Sequence, residues 1–129
     1  MKAKSVENIK AANLLIEHDM FAASIHCSYY SCFQLSKYSL STYYNIDYTK
    51  QDIESKGKDA HAFVINELAD KLDTIRHFAF IDYNSFMGSL KKLRKKADYS
   101  AKRISEKEAC ESKLKAEKVI NLLTTNLTK

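Results

Sequence analysis

Basic side chains crowd one short stretch of this chain: Lys91, Lys92, Arg94, Lys95, Lys96, Lys102 and Arg103, with Asp98 as the sole acid among them. Such a group can neutralise phosphate oxygens or an acidic protein surface, and an arginine within it can grip an anion through two parallel hydrogen bonds. Like charges this dense repel one another, yet Phe86, Leu90, Leu93, Ala97 and Ala101 recur at helical spacing through the same stretch. The pattern predicts a folded helix that holds its cations in fixed positions. A rotation of ~100° per residue sets Arg94 beside the apolar stripe, flanked by Leu90, Ala97 and Asp98. Asp98, four residues on, can pair with it, so a structural ion pair, anion binding and a catalytic role all stay open for Arg94. Tyr99 lies ~140° further round, so a regular helix does not aim both side chains at one small ligand. A site shared by Arg94 and Tyr99 calls for distortion or a second subunit, and alone Tyr99 reads as a core or interface aromatic with its hydroxyl tied.

A second cluster, Ser24-Ile25-His26-Cys27-Ser28-Tyr29-Tyr30-Ser31-Cys32-Phe33, mixes small and aromatic side chains. Small residues let helices approach closely while Tyr29, Tyr30 and Phe33 fill volume, which predicts tight packing or a dimer seam, with a tyrosine hydroxyl site as the functional alternative. The four histidines, His18, His26, His61 and His77, form no HExxH pattern, and no Glu stands three residues before a His as in di-iron bundles. Neither a metal nor another cofactor is expected. Serine, cysteine and histidine are present without a spacing that orders nucleophile, base and orienter. His61 reads as a capping or packing residue at the head of a helix.

These side chains must be positioned by helices. The chain has no proline, and Gly57 and Gly88 are its only glycines, so little interrupts helix formation and no glycine-rich phosphate loop exists. Its 129 residues suit a single all-α domain, an antiparallel bundle of four to five helices spanning residues 1–129. Ser5 is expected to cap a first helix bearing Val6, Ile9, Ala12 and Ile16, which stops near His18. Asp19 then caps a longer helix carrying Ala22, Ile25, Tyr29, Phe33 and Leu40 as far as Tyr43 or Tyr44. Residues Asn45 to Lys58 read as the longest connection, and Asp59 as the cap of a third helix with Phe63, Val64, Leu68 and Leu72. Asp73 to Asn84 reads as a helical turn followed by a loop, and the basic helix as running from about Ser85 through Tyr99. Ser105 and Glu108 make a capping-box pattern for a last helix with Ala116, Ile120, Leu123 and Leu127.

With 21 basic and 16 acidic residues, a formal charge of +5 and a pI near 9.0, the chain favours anionic partners. No apolar run approaches the ~20 residues needed to span a bilayer, and no signal-peptide apolar region opens the sequence, so a cytoplasmic location without membrane contact is expected. Cys27, Cys32 and Cys110 fit neither a disulfide framework nor a CxxC site and read as small fillers.

The order of Ala22-Ala23-Ser24-Ile25, Ser28-Tyr29-Tyr30-Ser31-Cys32-Phe33, His61 and Leu93-Arg94-Lys95-Lys96-Ala97-Asp98-Tyr99 resembles the HEPN domain family, nucleotide-binding helical domains of higher eukaryotes and prokaryotes. The resemblance spans nearly the whole chain. It implies a bundle of four or five helices that is often dimeric, in a prokaryotic toxin-antitoxin or phage-defence setting beside a nucleotidyltransferase partner. Active members are metal-independent RNases with an arginine followed, after four to six residues, by a histidine, two copies meeting at a dimer interface. Arg94 matches the arginine. Tyr99, Ser100 and Ala101 occupy the places allowed for the histidine, so the usual acid-base group is missing, and a tyrosine with an ordinary pKa ~10 is a poor base near neutrality. The resemblance therefore implies a module that binds RNA, a nucleotide or a partner protein through Arg94 and the Lys91 to Arg103 face, lacking standard RNase activity. Its alternatives are an endoribonuclease using Arg94 with Tyr99 or a displaced residue such as His61, and a non-enzymatic scaffold subunit.

Overall fold

A computed structural model describes residues 1–127. Among them the chain forms six α-helices and no strand: α1 (Lys2–Glu17), α2 (Phe21–Tyr44), α3 (Tyr48–Glu54), α4 (Ala60–Ile75), α5 (His77–Tyr99) and α6 (Glu106–Asn126). The helical bundle read from composition is present. Among the described residues no helix is long and apolar enough to cross a membrane.

Several boundaries differ from the sequence reading, each for a local reason. Ser5 does not cap α1 but lies one turn inside it, buried, where its hydroxyl donates to the Ser31 carbonyl at 2.7 Å while the Ser31 hydroxyl returns a bond to the Ser5 carbonyl at 2.7 Å. Ser24 does the same to the Ala12 carbonyl at 2.9 Å. The serines of α2 thus let α1 and α2 approach closely, as expected of small residues. Val6, placed on the inner face by its spacing, is exposed. Asp19 does not cap α2; it sits in the left-handed region at φ 59, reversing the chain, and Met20 precedes the helix without a side-chain cap.

At the far end of α2, Asn45 takes the left-handed conformation and the Ile46 N–H reaches back to the Leu40 carbonyl at 3.1 Å. The segment expected to be one long connection holds α3, capped by Asp47 and anchored by buried Gln51, whose amide donates to the Lys37 and Ile46 carbonyls. Polar anchoring replaced the apolar period that would have revealed it. Likewise, no loop occupies residues 73–84: Arg76, in extended conformation, is the sole break between α4 and α5. Exposed Ile75, Phe78 and Ile81 obscure the inward spacing there.

Asp59 does cap α4, accepting from the His61 and Ala62 N–H groups, and the Ser105–Glu108 capping box opens α6 as expected. The main core joins Tyr29, Cys32, Leu35 and Leu40 of α2 to Leu68 and Leu72 of α4, Tyr83, Met87 and Leu90 of α5, and Val119 and Leu123 of α6. Cys32 is buried, Cys27 and Cys110 half-buried, and all three are free thiols. Helix α2 crosses the whole bundle, and α5 runs antiparallel to it: His26 faces Asp98, Tyr29 faces Arg94, and Ser36 faces Tyr83.

Candidate anion-binding site at Arg94

The buried stripe of α5 is Ala79, Tyr83, Met87, Leu90 and Arg94, spaced four, four, three and four residues apart. Phe86, Leu93 and Ala97 are only half-buried, and Ala101 lies exposed beyond the helix. Arg94 is therefore not at the margin of the core but in its row, with 8% of its surface exposed. Its guanidinium lies 5.1 Å from the centre of the Tyr29 ring, 5.8 Å from that of Tyr30 and 5.9 Å from that of Tyr99. Three aromatic faces thus supply part of the stabilisation that water would otherwise give the cation. Its ion-pair partner is Asp98, at a long 3.4 Å, and its Nε is buried without a hydrogen-bond partner among the described residues. A buried cation so lightly paired costs free energy, so Arg94 contributes less to stability than its burial alone would suggest.

Tyr99 joins this cluster although helical rotation sets its Cα well round the helix from Arg94. The long arginine side chain spans the gap at the last turn of α5, and Tyr99 is 77% exposed. The expectation that one helix could not bring the two side chains together fails for that reason.

Asp98 serves two partners. Its carboxylate accepts from His26 Nδ1 at 3.1 and 3.2 Å as well as from Arg94. The His26 ring packs against Tyr30 with centroids 4.6 Å apart, its side chain is 46% exposed, and Asp98 fixes it through Nδ1, leaving Nε2 free to meet a ligand. His26 was not singled out in the sequence because nothing in linear order connects it to a residue 72 positions later. The one available signal was its place on the turn of α2 before Tyr29 and Tyr30.

On the other flank of Tyr29 stands His61. The Tyr29 hydroxyl meets His61 Nδ1 at 2.7 Å, and the imidazole stacks on Phe33 with centroids 4.1 Å apart. Burial pushes the Tyr29 phenol up, partly opposed by the Arg94 charge, so the hydroxyl stays protonated and donates. Burial, then the charges of Arg94, Lys91 and Lys37, hold His61 below the usual histidine range against the opposing pull of Asp59. Lys37 was not anticipated; it extends over the Phe33 and Tyr48 rings from the α2 side.

The cations first grouped by sequence separate in space. Lys91 pairs with Asp59 at 3.2 Å, and the Ala62 N–H first, then Lys91, hold that carboxyl below its ordinary range. Lys96 binds Glu108 at 2.7 Å and lowers its pKa, tying α5 to α6. Lys92, Lys95, Lys102 and Arg103 are exposed and have no ion pair among the described residues. On α5 the rotation from Arg94 sets Lys92 ~160° away and Lys95 ~100° away, so they form an outer face, distinct from the Arg94 cluster. No group of three or more His, Cys, Asp or Glu side chains converges on a possible metal position among the described residues. In comparison with known proteins, the chain matches no family model, no curated protein and no solved structure.

Proposed function

We propose that the chain is a HEPN-like module that binds RNA or a nucleotide, with a phosphate at Arg94 and a base against the exposed rings of Tyr99 and His26 and the half-buried ring of Tyr30. The observation that carries this reading is the buried guanidinium itself: held by three tyrosine rings, paired at 3.4 Å to one carboxylate, with Nε unsatisfied. A phosphate would supply the compact, doubly accepting partner that this arginine lacks. Aromatic faces beside a cation suit single-stranded nucleic acid, where stacking and phosphate contacts combine. The outer lysines add attraction at longer range.

On the same reading the module works as a homodimer or with a nucleotidyltransferase partner in a prokaryotic toxin-antitoxin or defence system. Support for that setting is the resemblance of the Arg94 to Tyr99 segment and of the serine- and tyrosine-rich stretch of α2. Fluorescence anisotropy with a labelled single-stranded RNA tests the binding. Affinity should fall as salt rises and drop at least about tenfold in Arg94→Ala; no binding at low salt rejects the reading.

A second reading, a metal-independent endoribonuclease, is favoured by the His26–Asp98 pair. His26 Nε2 would take the proton of a ribose 2′-hydroxyl as its oxygen attacks phosphorus. The 5′-oxygen would leave with a proton from Tyr99 or water, giving a 2′,3′-cyclic phosphate and a 5′-hydroxyl, with Arg94 balancing the charge at phosphorus. Incubation of purified protein with RNA discriminates the two. Cleavage abolished by both Arg94→Ala and His26→Ala would replace binding alone with catalysis, and intact RNA would exclude it.

A further inference from the structure

A groove of about 880 Å³ opens between the α1–α2 turn and the segment joining α5 to α6. This volume lies in the range of sites that hold small ligands. Its floor is apolar and fixed, because Phe21 and Ala97 pack on the buried trio of Ile25, Ile104 and Ala109. Met20, Ala22 and Ala23 form one exposed wall. Lys102 and Arg103, both exposed and unpaired, line the other side, and Asp19 is the one acid in the lining.

The groove adjoins the Arg94 cluster along both helices. Ala22 and Ala23 stand one helical turn before His26 on α2, and Ala97 directly precedes Asp98 on α5. Ala97 is three residues beyond Arg94, ~4.5 Å along the helix axis. A strand whose phosphate lies at Arg94 can therefore enter the groove without leaving the surface. Apolar walls accept the face of a base, and the paired cations on the rim match the charge of the next phosphate.

We propose that this groove receives the adjacent nucleotide of an RNA strand held at Arg94, its base against Met20, Phe21 and Ala97 and its phosphate on Lys102 and Arg103. The proposal rests on the RNA reading of Arg94 and adds a length requirement. Uridine monophosphate would occupy the Arg94 cluster alone, whereas tetrauridylate would fill both.

Calorimetric titration with these two ligands at low salt is the test. Ala22→Leu/Ala23→Leu narrows the groove without adding charge or an aromatic face, at positions exposed enough to leave the fold intact, which thermal unfolding checks. It should weaken tetrauridylate about tenfold and leave uridine monophosphate unchanged. Lys102→Ala/Arg103→Ala should lower the salt slope for tetrauridylate by roughly 0.7 for each phosphate that is no longer neutralised. If both variants bind tetrauridylate like the parent while Arg94→Ala weakens it, the groove assignment is overturned and the Arg94 reading stands. If Arg94→Ala changes neither ligand, or neither binds, both fall. Loss of anilinonaphthalenesulfonate binding in Ala22→Leu/Ala23→Leu, with RNA affinity intact, would show that the groove is open to apolar ligands but not used by RNA, and would likewise overturn the proposal.

Discussion

Helices α2 and α5 meet twice over a buried tyrosine, and the two meetings have opposite character. At one end Tyr83 donates to Ser36 at 2.7 Å, and Ser36 passes its own proton to the Cys32 carbonyl at 2.8 Å. Every partner is neutral and buried, and burial pushes the Tyr83 phenol well above its ordinary pKa. At the other end Tyr29, just as buried, bonds to His61, lies under the Arg94 guanidinium and adjoins the Asp98–His26 pair. Here the partners are titratable and several reach solvent. The closed end satisfies its polar groups and stops; the open end leaves Arg94 Nε unpaired and a free imidazole nitrogen facing outward. The same helix pair thus closes on neutral, satisfied groups at one end and on a buried, incompletely paired cation at the other.

Leu40→Ala at the closed end tests that division most severely. Leu40 is fully buried one turn beyond Ser36, and its truncation should cost ~2–5 kcal/mol of unfolding free energy in denaturant titration. RNA affinity of the fraction that remains folded should be unchanged. Arg94→Met at the open end should do the reverse. Binding should fall at least about tenfold, ~1.4 kcal/mol, while stability stays level or rises, because an apolar chain replaces a buried and incompletely paired charge. A large loss of stability in Arg94→Met would make the arginine a structural pillar and erase the contrast. Tyr83→Phe should then cost only ~1 kcal/mol, since Ser36 keeps its bond to the Cys32 carbonyl and no buried donor is stranded.

The closed end was the more legible in sequence. Apolar residues at three-to-four spacing announce α2, α4 and α6, and helix rotation alone puts Leu90 with the core. The open end was legible only along one helix. Arg94 and Asp98 are four apart, so their pairing follows from rotation, but His26, His61 and Lys37 come from other helices and nothing in linear order sends them there. Helix α3 escaped because Gln51, a polar residue, does the anchoring that an apolar stripe does elsewhere. Tyr99 was misplaced because rotation fixes where a Cα points, not how far a long arginine side chain can reach back.

The smallest expected effect separates the two tyrosines by pH. His61 is held neutral in the folded chain by burial and by Arg94, Lys91 and Lys37, so its folded pKa lies below the unfolded value of ~6.5. Above that value both states carry a neutral imidazole and stability does not depend on it. As pH falls below it, the unfolded chain binds a proton that the folded chain refuses, so stability declines until the folded pKa is passed. Thermal unfolding between neutral and mildly acidic pH should show this decline, and His61→Gln should flatten it. Tyr83→Phe should not change the slope, because nothing at the closed end titrates in that window. An equal slope in parent and His61→Gln would mean that the imidazole is not held neutral, and that the open end differs from the closed one in exposure but not in its capacity to exchange protons.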